Sequence, residues 1–184
     1  MKKIIDLIIS YKFYIFILLF YEFLYVIFGY KGNGVNIRNN DKTTDTIPCP
    51  YLFLAKMLKD IKDFKINSFT DIGCGNGRVI FFFKKHFDAN YYGYELFEDA
   101  YKQCLKIFAD DSKVKINNED FFKSKQKTII SDCYFINDPI KNEELHADLF
   151  GNMVENHIIS GKKVYYISVN LSSQKTKIFK NCIM

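Results

Sequence analysis

From Ile66 to Asn170 the apolar positions alternate between strand-like runs and stretches of helical spacing. Runs rich in β-branched and aromatic residues read as strands: Ile66 to Ile72, Asn90 to Glu95, Val114 to Asn117, Thr128 to Asn137 and Lys163 to Asn170. Tyr51 to about Lys62 places Leu52, Leu54, Ala55, Met57, Leu58 and Ile61 at near-helical spacing behind Pro48 and Pro50, which suit a helix start. Arg78 to Phe87 follows the first strand as a helix. Lys141 to Ile158 precedes the last, with Leu145, Leu149, Met153 and Val154 as its apolar stripe and Gly161 as its stop. Strand and helix in alternation predict an α/β domain with a mainly parallel sheet and helices on both faces.

The first thirty residues follow another pattern. Phe13 to Tyr30, FYIFILLFYEFLYVIFGY, is apolar except for Glu22. At about 1.5 Å per residue such a helix nearly crosses a hydrocarbon core of about 30 Å. Lys2, Lys3 and Lys12 before it, Lys31 after it and the tyrosines along it suit a membrane interface, and no small-residue cleavage site follows it. The other placement is a helix packed on the domain, with Asp6, Lys12 and Glu22 on its wetter side, and Glu22 at mid-span speaks for it because a carboxylate is costly in lipid. Both placements stay open, and membrane association of residues 13–30 is the expectation carried forward. Lysines lie on both sides, so they set no orientation. Gly32 to Thr46 is polar and glycine-punctuated. The expected division is an apolar helix over 1–30, a linker over 31–47 and a domain over 48–184.

Candidate chemistry concentrates in Ser68 to Ile80, SFTDIGCGNGRVI. A strand ends in Asp71-Ile72, three alternating glycines follow, and a helix begins. Residues without Cβ let a bound nucleoside approach the backbone. A dinucleotide turn, G-x-G-x-x-G, needs glycine where Arg78 stands, and Asp71 would repel a pyrophosphate while attracting an ammonium or sulfonium. The turn is therefore a candidate site for a cation. A glycine turn without a ligand is the alternative, but three glycines lose backbone entropy that a mere connection need not lose.

An acid followed by G-x-G-x-G, here Asp71 to Gly77, resembles the first motif of the class I S-adenosylmethionine (SAM) methyltransferases, and D-I-G-C-G-x-G-R is similar to the signature of short bacterial members. The resemblance implies a doubly wound, Rossmann-like sheet in the order 3-2-1-4-5. It implies SAM as cofactor, with Asp71, Gly73, Gly75 and Gly77 along its methionine part, Glu95 on the ribose hydroxyls, Asp120 at the adenine amino group and Phe121 covering the ring. After the fourth strand, Asn137-Asp138-Pro139-Ile140 resembles the N/D-P-P-Y/F motif of amino-group methyltransferases. It departs from that motif in having Asp138 at the first proline position and Ile140 in place of the stacking aromatic. Asp138 is the candidate base and Asn137 the candidate acceptor-orienting amide. The alternative is that Asp138-Pro139 is only a turn. Ile47 to Tyr51 loosely resembles a Tyr/Pro segment of some membrane-anchored protein-lysine methyltransferases. The family's sheet normally ends in an antiparallel hairpin, and Leu171 to Met184 is short for one, so that hairpin is expected to be reduced or missing.

Composition narrows the partners. At 184 residues the chain is one domain by length. Its net charge of +5 is carried by dispersed lysines, with Arg38 and Arg78 the only arginines, so nucleic acid is not favoured. Five cysteines without a C-x-x-C pair give neither a zinc site nor a disulfide framework, and His86, His146 and His157 add no ligand spacing; no metal is expected. The expected function is methyl transfer from SAM to an unidentified acceptor, such as a protein lysine or a membrane-proximal molecule, by a domain in the cytoplasm, where SAM is made. A catalytically inactive SAM-fold module tethered to a membrane is the alternative, and a dehydrogenase a more distant one.

Overall fold

A computed structural model of the protein describes residues 2–34, 47–123, 131–137 and 143–169. Its strands are β1 (Ser68–Ile72), β2 (Asn90–Tyr94), β3 (Val114–Asn117), β4 (Cys133–Asn137) and β5 (Tyr165–Val169). Its helices are α1 (Lys2–Ile27), α2 (Tyr51–Ile61), α3 (Arg78–Lys84), α4 (Glu98–Ile107) and α5 (Glu143–Ile159). The strands form one sheet in the order β3-β2-β1-β4-β5, parallel throughout, as the alternation of elements predicts.

Period-two alternation sorts the strand side chains into two cores. Phe69, Tyr91, Cys133 and Phe135 pack with α2, α3 and α4, while Ile72, Tyr94, Tyr134 and Ile136 pack with α5 through Phe150, Met153 and Val154. The first core is an aromatic lattice in which the Phe69 ring lies 5.1 Å from Phe83 and 5.6 Å from Tyr91. On the other face His157 of α5 stacks on Tyr134 at 5.1 Å and shares a short hydrogen bond with the Tyr166 hydroxyl. β1 is buried on both sides, as befits the middle of a parallel sheet.

Several boundaries differ from the sequence reading by a few residues. β4 begins at Cys133 because Asp132 is occupied in a turn, where its Oδ2 accepts the N–H groups of Asn67 (2.8 Å) and Ser68 (3.1 Å). That carboxylate ties the start of β4 to the start of β1. The expected hairpin region, 171–184, lies outside the described residues.

The membrane-spanning helix expected over residues 13–30 is not found. Among the described residues, no helix is long and apolar enough to cross a membrane. One face of α1 is committed to the domain instead: Glu22 bonds to Arg78 and Tyr51, and the Tyr25 ring stacks on Tyr51 at 4.6 Å. Phe16, Leu19, Phe20, Phe23 and Ile27 are exposed on the rest of the helix.

Gly93 of β2 has no room for a side chain on the α3 side. A Cβ built there would lie 2.7 Å from Ile116 Cδ1 and 2.9 Å from both Cys74 Sγ and Ile80 Cδ1. Gly93→Ala is therefore expected to destabilise the protein by about 1–3 kcal/mol through overpacking, measured as a lowered urea midpoint with an unchanged m-value.

Candidate functional site

The strand order places a topological switch point between β1 and β4, because the chain runs from β1 towards β3 and then returns to lay β4 on the other side. Ligands of open α/β sheets bind at such points, beyond the strand C-termini. Glu95 immediately follows β2, and Asn137 ends β4.

The glycine turn is built by its backbone. Gly73 N–H and Cys74 N–H donate to the Tyr94 carbonyl at 2.9 and 3.0 Å, and Gly77 N–H donates to the Cys74 carbonyl at 2.8 Å. Gly77 has φ 83°, a left-handed conformation, and a Cβ there would meet Cys104 Sγ at 2.7 Å and Phe108 Cε2 at 2.8 Å. Only glycine combines that φ with so close an approach of α4. The Cys74 thiol is pushed well up, first by its hydrogen bond with Cys104 and then by burial, so it behaves as an inert neutral group.

Two carboxylates flank this turn, and their surroundings differ. Glu95 is buried, with its Oε2 accepting Gly75 N–H at 2.9 Å and its Oε1 accepting Phe97 N–H at 2.8 Å. Asp71 is also buried, yet its Oδ2 has no hydrogen-bond partner. Burial, and then the negative Glu95 nearby, hold the Asp71 carboxyl well above the usual carboxylate range. A partnerless buried carboxylate oxygen is costly unless a donor from outside the chain reaches it. The arrangement fits a cationic or N–H-bearing ligand group.

The remaining expected site residues are placed as follows. Asp120 follows β3, where its Oδ1 caps the 3-10 turn Phe121–Lys123 by accepting Phe122 N–H at 2.9 Å. Phe121 is buried, with its ring edge-on to Tyr94 at 4.9 Å. Asn137 Nδ2 donates to the Ile47 carbonyl at 3.4 Å, so the segment before α2 passes the end of β4. Asp138 lies outside the described residues. The structure thus gathers Asp71, the glycines and Glu95 around one turn, while Asp120 and Asn137 stand at the ends of the neighbouring strands.

Sequence reasoning missed a second set of residues on the helix side of the turn. Arg78, the first residue of α3, is buried. Its Nη1 donates to Glu22 Oε2 at 2.7 Å and to the Cys49 carbonyl at 3.3 Å, its Nη2 to Asn33 Oδ1 at 2.8 Å and its Nε to the Gly32 carbonyl at 3.4 Å. The guanidinium also lies over the Tyr51 ring at 4.4 Å. The signal that pointed here was the single acid inside an apolar run, which demands a buried cation somewhere.

No protein-family model matches the chain, and no curated protein matches its sequence. Solved structures do match its fold. Human methyltransferase 10 domain containing protein aligns with a TM-score of 0.52 at 16% identity, over 80% of this chain and 76% of that one. An RNA methyltransferase from Salinibacter ruber, in complex with S-adenosyl-L-homocysteine, aligns with a TM-score of 0.50 at 18% identity, over 59% of this chain and 70% of that one. Geranyl diphosphate C-methyltransferase from Streptomyces coelicolor aligns with a TM-score of 0.50 at 15% identity, over 71% of this chain but only 51% of that one. Two further matched methyltransferases are covered over 39% and 32% of their own lengths. The chain has a Rossmann-like methyltransferase fold.

An acid whose pKa is raised by folding contributes stability that is fully present below the unfolded value, near 3.8, and lost as pH rises through the raised value. The buried Asp71 carboxyl therefore makes the ligand-free protein less stable at neutral pH than in acid. Asp71→Asn is expected to raise the thermal midpoint there, and to flatten the decline of stability with rising pH, as measured by unfolding across a pH series.

Proposed function

We propose that the protein is a SAM-dependent methyltransferase that holds its cofactor on the Gly73–Gly77 turn. The single observation that carries this reading is the buried Asp71 Oδ2 without a partner beside that turn. An ammonium group, such as that of the methionine part of SAM, is a donor of the right charge for it. Glu95, whose two carboxylate oxygens accept Gly75 N–H and Phe97 N–H, is assigned to the ribose hydroxyls. Asp120 and Phe121 are the adenine-side pair of the same reading.

Bound SAM supplies a methyl group on a sulfonium, already a good leaving group. The chain then has to orient the acceptor, exclude water and remove a proton. Asn137, which ends β4, and Asp138, next in the chain, are assigned the orienting and proton-accepting roles. The long Asn137–Ile47 bond is one that an acceptor could displace. An acceptor that must shed a proton, such as a lysine amine, suits a carboxylate base. A binding module without turnover is the second reading, favoured by that same bond, which already engages the Asn137 amide.

Calorimetry with SAM and S-adenosylhomocysteine tests the proposal. Micromolar-class binding is expected, weakened about 100-fold by Asp71→Ala, the scale of losing one partner of a buried charge pair. Because the bound ammonium favours ionised Asp71, affinity should rise with pH through the raised Asp71 pKa, with proton release seen as a dependence of the heat on buffer ionisation. Absence of binding would sink the reading. Transfer of a labelled methyl group to lysate acceptors, lost in Asp138→Ala, would separate enzyme from binding module.

A further inference from the structure

We propose that Glu22 of α1 is a positioning residue for the cofactor turn, so that docking of the N-terminal helix and occupation of the cofactor site are linked equilibria. This rests on the reading of Gly73–Gly77 as the cofactor turn. One carboxylate serves two helix starts: Glu22 Oε1 accepts the first N–H of α2, from Tyr51, at 2.7 Å, while Oε2 pairs with Arg78 at the start of α3. Pro50, the residue before α2, offers no side-chain cap of its own. Glu22 does that work from another helix, and its charge suits the positive end of the α2 dipole.

Arg78 carries this contact to the turn. The chain leaving α1 runs directly over residues 76–78: a Cβ on Gly32 would lie 2.5 Å from Arg78 N and 2.6 Å from its Cα, and one on Gly34 would lie 2.2 Å from Asn76 Nδ2. The Tyr51 hydroxyl holds the same segment, 3.0 Å from the Lys31 carbonyl and 3.1 Å from Asn33 Oδ1. Gly77, one residue before Arg78, is in the left-handed conformation that shapes the turn. A helix start gripped from outside by Glu22, Gly32, Asn33 and Cys49 keeps the turn in a single arrangement before any ligand arrives. By reciprocity, a ligand that favours that arrangement strengthens the grip.

The test uses the full chain and S-adenosylhomocysteine. Glu22→Gln, and independently Gly32→Ala, which forces the segment off backbone atoms that cannot turn aside, are each expected to weaken binding about tenfold or more, within the usual range of coupling between sites. Phe23→Ser, on the exposed face of the same helix, is expected to bind as wild type. In wild type, the ligand should slow hydrogen exchange in residues 22–33 and 47–51 as well as in 73–78, a readout that a purely structural ion pair would not move. Unchanged affinity in both variants while each remains folded, or protection confined to 73–78, overturns the inference and leaves the cofactor reading standing. No binding by wild type defeats both.

Discussion

The constraint on which this structure most depends is the burial of the Arg78 guanidinium. A cation out of water is tolerated only when its charge is matched and its donors are used. Arg78 meets that requirement with one carboxylate, two main-chain carbonyls, one side-chain amide and an aromatic face. These partners come from α1, the segment after it and the stretch that leads into the first residue of α2. Satisfying one side chain therefore draws three separate stretches of chain onto the start of α3.

Glu22 explains why the N-terminal helix lies where it does. Read alone, it was a charge in the wrong place for a lipid-crossing helix, and its partner stands 56 residues away. Tyr25 and Tyr30 add ring contacts with Tyr51 at 4.6 and 5.5 Å, so the polar link is surrounded by aromatic packing that keeps its dielectric low. The outer side of the helix keeps its large apolar groups exposed. Orientation of α1 about its own axis is thus tied to Glu22 and Tyr25, with Tyr30 packing just beyond its end.

The fold was legible because it rests on local periodicity. Val114–Asn117 needed only four residues of alternation to be read as β3, and the glycine turn announced itself through three residues whose absent side chains have a clear physical use. The strand order followed from the resemblance carried by that turn. What was not legible depends on contacts between distant positions. Nothing near Arg78 in the sequence states that Gly32, Asn33 and Cys49 will face it, and the residues that make Gly77 obligatory, Cys104 and Phe108, lie a helix away. Within the candidate site, Asp71 and Glu95 could be proposed from spacing. That an oxygen of Asp71 would lack a hydrogen-bond partner while Glu95 held two backbone N–H groups required the packed structure.

The Arg78 pairing also decides the electrostatic character of the turn. An unpaired arginine at the start of a helix, next to three glycines, would make a phosphate site, since its fork and the helix dipole would both favour an anion. Here the fork points away and is filled by Glu22 and neighbouring acceptors, so its positive charge is answered on the far side of the helix start. Asp71 and Glu95 flank the turn, and Glu95 raises the Asp71 pKa further after burial has done so. On the proposed reading, two buried carboxylates beside the turn suit a positively charged ligand better than a pyrophosphate. The preference for a cation is therefore not a property of the glycine motif alone. On the proposed reading it also depends on an acid in the N-terminal helix engaging a basic group that would have argued the other way.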